Sequence, residues 1–211
     1  MELLDRWVER ARRLSTYGAW FGGILILIAS IIVGVEVVIR KAFNITTGGA
    51  DELSGFALAI SSAFAFSFAL FERSHVRIDS VYTALPTRVC AVLDIIGLSI
   101  FSMFMTFLAY MSYGVFNESL SMGSKTMTSL ATPLMIPQFF WVVGLFFFVA
   151  VAGLLLTRAI VTLFTGNFLA VQLQIGSKTV REELNEELDQ LEKLAEQETG
   201  TPGQESSGGA S

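Results

Sequence analysis

His75 and Cys90 are the chain's one histidine and one cysteine. A single imidazole and a single thiol cannot supply the three or four ligands of a zinc site, and one cysteine forms no internal disulfide. No Walker A loop, glycine fingerprint or nucleophile–base–acid triad is present, so the sequence argues against an enzyme and calls for no cofactor. The polar groups left to consider are carboxylates at or near apolar runs, Glu36, Asp51, Glu52 and Asp94, and the stretch from Glu72 to Asp79 that holds His75, Arg77 and Asp79. A lone histidine in such a polar loop reads as a hydrogen-bonding surface group rather than a ligand or switch.

Each carboxylate has a plain physical reading. Glu36 precedes Arg40 by four residues, the favoured order for an ion pair on a helix. Asp94 is within reach of the basic loop before it or of a partner subunit. Asp51 and Glu52 follow Gly48-Gly49-Ala50 at the start of an apolar run, where the positive end of a helix dipole favours negative charge. Ser61, Ser62, Ser99 and Ser102 lie within apolar runs; such hydroxyls return a hydrogen bond to the preceding turn, link neighbouring helices, or line a polar path.

These groups are set in a chain of 211 residues that is 53% hydrophobic and only 16% charged, far below the roughly 25% of a soluble domain. The net charge of −5 lacks the basic excess that phosphate neutralisation demands, so nucleic acid is a poor partner. Four runs, residues 16–39, 53–71, 89–113 and 136–157, are each long enough at about 1.5 Å per residue to cross a hydrocarbon core of about 30 Å. They are continuously apolar rather than alternating, which predicts helices and not a barrel. The first run exceeds the apolar stretch of a signal peptide and is read as an uncleaved span. The expected fold is an all-α integral membrane protein of four transmembrane helices in residues 16–164.

Eleven of the fourteen Lys and Arg residues fall before the first span, between the second and third, or after the fourth. By the positive-inside rule both termini are expected in the cytoplasm. Residues 1–15 alternate leucines and Trp7 with four arginines at helical spacing, which predicts an amphipathic interfacial helix against membrane lipids. Trp20, Tyr113 and Trp141 are placed as interfacial anchors, and the Phe-rich stretches 64–71 and 146–148 are expected to face lipid or partner helices. Nine acidic residues fall between Glu182 and Glu205, so residues 165–198 read as an acidic amphipathic segment and 199–211 as a disordered tail.

Several short motifs occur in order: Ala50-Asp51-Glu52-Leu53, then His75-Val76-Arg77-Ile78-Asp79, the loop from Ser124 to Thr132, Pro133 and Pro137, and Trp141 with Gly144. In this order and spacing the chain resembles, over about residues 10–160, the small permease subunit of tripartite ATP-independent periplasmic transporters, the DctQ-like family. The resemblance implies a bacterial inner-membrane protein beside a large permease subunit and a periplasmic solute-binding protein. It further implies sodium-driven uptake of an organic acid, with substrate and sodium carried by the large subunit and the small one serving as a fixed scaffold of tilted helices. Carried over, Glu52, His75, Arg77 and Asp79 become candidates for subunit contact or folding, beside Asp94, and none for substrate binding.

The apolar middles of the four runs contain no ionisable residue, which agrees with that implication. Two other classes stay open: an autonomous four-helix channel or carrier lined by the four serines, and a membrane adaptor that recruits a cytosolic partner through its acidic tail.

Overall fold

Each of the four apolar runs lies inside a longer helix. In a computed structural model of the chain these are α1 (Glu2–Phe43), α2 (Ala50–Phe71), α3 (Thr87–Met122) and α4 (Met135–Phe164). All four are long and apolar enough to cross a membrane. The structure describes residues 2–45, 48–73, 86–128 and 130–164, with Ile175, Leu188 and Leu191. Among these there is no strand, only an isolated antiparallel bridge between Lys125 and Pro133. The chain divides into two units, Met1–Ser177 and Lys178–Ser211. The segments expected over residues 165–198 and 199–211 lie almost wholly outside the described residues.

The helix ends follow from local chemistry. Pro86 (φ −67°, ψ 146°) precedes α3, and its carbonyl accepts from the Val89 and Cys90 N–H groups at 2.9 and 3.2 Å. Proline has no N–H to strand at a helix start. Gly123, in the left-handed region at φ 60°, stops α3, and the Ser124 N–H closes back on the Ser119 carbonyl at 3.1 Å. That is the glycine C-cap of a Schellman turn. It carries the helix nine residues beyond Tyr113, where the hydropathy of the run ends.

α1 passes without a break from the amphipathic stretch into the apolar run. Its N-terminal apolar residues divide: Val8 is buried, Leu4 and Ala11 pack beside the core, and Leu3, Trp7 and Leu14 are exposed. Along the whole helix the buried positions are Val8, Ser15, Gly22, Ala29 and Glu36, one every seven residues. A strict seven-residue repeat keeps one stripe facing a neighbour only through left-handed supercoiling.

α1 packs chiefly on α2, α2 also on α4, and α4 on α3, with a smaller contact between α1 and α4. The α1–α2 approach is close because Gly22 has no side chain: a Cβ there would stand 3.1 Å from the Ser61 Cα. At the α2–α4 crossing a Cβ on Gly144 would stand 2.8 Å from that of Ala63. The core centres on α4, where Leu145, Phe148, Val151, Ala152, Leu155 and Ala159 are almost fully buried. Of the stretch expected to face lipid or partner helices, Phe148 is a core residue packed on its neighbour helices, while Phe146 is exposed. The Phe148 ring meets Phe101 and Phe66 edge-on at centroid distances of 5.6 and 6.3 Å. Burial in that notch, roofed by two rings, outweighs the lipid exposure available to its neighbour Phe146. Trp20 and Tyr113 are exposed, and Trp141 is half-buried.

Candidate functional site

The polar side chains gather at the two ends of the bundle. At the end opposite the N-terminus, Glu52 in the first turn of α2 meets the loop between α3 and α4. The Thr126 hydroxyl donates to Glu52 Oε1 at 2.9 Å, and the Thr128 hydroxyl donates to Oε2. The two threonines are themselves 3.1 Å apart, and the Thr132 N–H donates to the Thr126 oxygen at 2.9 Å. Backbone bonds shape the loop around this point: Thr126 N–H to the Thr132 carbonyl at 3.0 Å and Leu134 N–H to the Ser124 carbonyl at 3.1 Å.

Leu130 closes the same contact from the loop tip. A Cβ on Gly49 would overlap the tip of its side chain, so any larger residue there obliges Leu130 to move. Glu52 thus does more than respond to the helix dipole. No side chain caps α2 at Gly49, and the carboxylate is spent on a long-range clamp that ties the α3–α4 loop to the start of α2. Threonine hydroxyls stabilise the charged carboxylate by charge-assisted donation.

At the N-terminal end two ion pairs fasten α1. Asp5 meets Arg158 of α4 at 2.9 Å, and Arg12 meets Glu72, just past α2, at 3.6 Å. Glu36 is buried and paired with Arg40 at 3.4 Å, the pairing its spacing predicts. Asp94 is also buried, on the face of α3 that carries Ala91 and Leu98 into the core. It therefore does not present an open carboxylate at the surface. His75, Arg77 and Asp79 lie outside the described residues.

The serines divide between two uses. Ser61 crosses to α1 and donates to the Gly22 carbonyl at 2.8 Å. Ser62 and Ser99 donate backward within their own helices, to the Leu58 and Ile95 carbonyls at 2.7 and 2.6 Å. These three hydroxyls are committed to backbone acceptors, whereas the fourth, that of Ser102, is buried with no hydrogen-bond partner. Among the described residues no group of three His, Cys, Asp or Glu side chains could hold a metal ion. An open groove of about 400 Å³ between α1 and α2 is lined by Ile26, Ala29, Ser30, Ala57 and Leu58, with Asp51 at one end. Its walls are apolar and shallow, and they offer a solute one carboxylate and no cation.

Sequence reasoning placed Glu52 at the right end of the right helix and missed its partners. The signal available was the run Thr126-Met127-Thr128, two hydroxyls two residues apart in a loop otherwise singled out only as a motif.

Four helices long and apolar enough to cross a membrane define a multi-pass membrane protein. Residues 29–165 match the family model for the DctQ component of tripartite ATP-independent periplasmic transporters. The chain belongs to that family, and is a small membrane component of such a transporter, a system that also comprises a large permease and a periplasmic binding protein. No curated protein and no solved structure matches it.

Proposed function

We propose that this chain is a stationary scaffold for the large permease subunit of its transporter and does not itself bind the solute. The observation that carries this reading is the use of its intramembrane hydroxyls: Ser61, Ser62 and Ser99 are all spent on backbone carbonyls, and ionisable side chains stay towards the helix ends. A helix bundle with no ionisable side chain at its middle offers a charged solute no counter-charge; the hydroxyls of Ser67 and Ser102, buried there without a hydrogen-bond partner, are neutral groups. Within this reading the large subunit takes up an organic acid, delivered by the periplasmic binding protein and driven by a sodium gradient. Both termini lie in the cytoplasm and the protein resides in the bacterial inner membrane, in accord with the distribution of Lys and Arg.

The candidate residues then take separate roles. Glu52 and Asp94 serve folding, the first as the loop clamp and the second inside the bundle. His75, Arg77 and Asp79 are offered for contact with the large subunit.

The test is co-purification joined to transport. Tagged chain drawn from native membranes should bring the large permease subunit with it, and deletion of the chain should abolish uptake. Isolation of the chain alone, with uptake unchanged by its deletion, would refute the scaffold. So would liposomes containing only this chain that move solute unaided.

A further inference from the structure

A serine or threonine on a helix in apolar surroundings ordinarily turns its hydroxyl back to a carbonyl of the preceding turn. Ser62, Ser99, Thr157 and Thr162 do so here, at 2.6 to 2.9 Å. Ser15 of α1 and Ser67 of α2 do not. Both residues are fully buried, at 0% exposure, and neither Oγ has a hydrogen-bond partner. Each hydroxyl is held off its own backbone and enclosed by the bundle.

The helix registers bring the two together. Arg12 with Glu72, Gly18 with Phe64 and Gly22 with Ser61 fix α1 antiparallel to α2, and between these contacts Ser15 stands level with residues 67–69. The contacts with α4 give the same height independently. Asp5 against Arg158 sets Ser15 level with residue 148, and Ala63 against Gly144 sets Ser67 level with residue 148. Direction agrees with height. At about 100° per residue, Ser67 lies about 40° around α2 from Ala63, which meets α4, and about 60° from Phe64, which meets α1. Ser15 lies about 20° around α1 from Gly22, which meets α2, on the side of Asp5, which meets α4. Both hydroxyls therefore open into the junction of α1, α2 and α4. At that height α4 presents Phe148 and Val151, 1% and 2% exposed, whose side chains carry no nitrogen or oxygen.

We infer that Ser15 and Ser67 form a binding site for one structural water, shared between their hydroxyls in the junction of α1, α2 and α4. Two buried hydroxyls at one height, bonded neither to each other nor to their own helices, and facing an apolar third wall, are satisfied together by a single water. It donates to one Oγ, accepts from the other, and keeps a second hydrogen for a backbone carbonyl of the same junction, the three bonds usual for an enclosed water. An ion does not suit the site, because two neutral hydroxyls cannot offset the loss of its hydration. Water has a short way in: the partly exposed Arg12–Glu72 pair lies three residues of α1 nearer the end of the bundle, about 4.5 Å along the axis. The α1–α2 interface thus carries two polar ties, a direct one from Ser61 to the Gly22 carbonyl and a second through solvent.

The experiment is radiolytic footprinting of the full chain in lipid nanodiscs. A brief X-ray pulse turns bound water into hydroxyl radicals, which oxidise the side chains they touch, and mass spectrometry reads the sites. Val151 should be oxidised several-fold more than Leu145, which is just as buried but packs among Ala63, Ala109 and Trp141. The excess at Val151 should vanish when Ser15→Ala and Ser67→Ala are combined. It should persist in Ser102→Ala, whose hydroxyl is also buried without a partner but lies on α3. In thermal unfolding the combined variant should lose less than the two single variants added together, because the first substitution already releases the water. Equally low oxidation of Val151 and Leu145 in the unaltered chain overturns the water site, and so does an excess at Val151 that survives removal of both hydroxyls. Coupled losses with no excess at Val151 would mean that the two serines bond each other directly, which overturns it as well. Additive losses would show that the serines share no water.

Discussion

Thr126 donates its hydroxyl to the Glu52 carboxylate at 2.9 Å across 74 residues of sequence, and Thr128 donates to the other oxygen of the same group. The pair converts a loop that has no strand of its own into a part of the helix bundle. Replacing Glu52 by Ala should release it. Backbone amides from Ser124 to Leu134 should exchange hydrogen faster, with Thr126 and Thr132 showing the largest change, while Asp51→Ala leaves them unaltered. Equal exchange in wild type and Glu52→Ala would show that the clamp does not hold the loop.

Ser61 and Ser62 are adjacent in sequence and unequal in structure. Ser61→Ala removes a bond between helices and should destabilise the fold by about 0.6–2 kcal/mol, the range for interhelical hydrogen bonds in membranes. Ser62→Ala removes only a bond to its own helix and should be close to neutral. Thermal unfolding of the two variants in detergent decides the matter, and equal losses would contradict the assignment.

Glycines divide in the same way. Gly144→Leu must push α4 off Ala63, since even a Cβ would come within 2.8 Å, and overpacking of this kind costs about 1–3 kcal/mol or more. Gly34 faces open space, so Gly34→Ala should gain up to about 1 kcal/mol from helix propensity alone. Opposite shifts in the unfolding midpoint are the expected result.

The Asp5 to Arg158 ion pair, 2.9 Å long with both side chains partly exposed, should be worth about 0.2–1 kcal/mol in a double-mutant cycle at low salt. The coupling should fade as ionic strength rises. A coupling that ignores salt would indicate a far drier site than the structure describes.

The four helices were legible from apolar run length, because a chain that must satisfy its own backbone in hydrocarbon has little freedom of architecture. Their ends were less so. Hydropathy falls at Tyr113, yet α3 continues to Met122, since helix continues until something stops it, and here that is Gly123. The Glu36–Arg40 pair was legible because it is local. The Glu52 clamp was not, because its partners come from a distant loop whose path depends on the packing of α4. Phe148 shows the same limit: periodicity in an all-apolar helix does not say which ring turns inward.

The order of neighbours across the bundle differs from the order of synthesis. α1 and α2 form a hairpin that can pair as soon as both exist, but the chief packing surface for α3 lies on α4, which is made last. At about 5–20 residues per second, the third helix waits for seconds in the bilayer before its neighbour emerges. A ribosome stalled after Met122 would therefore leave a folded hairpin and a wandering third segment, exposed to membrane proteases until translation resumes.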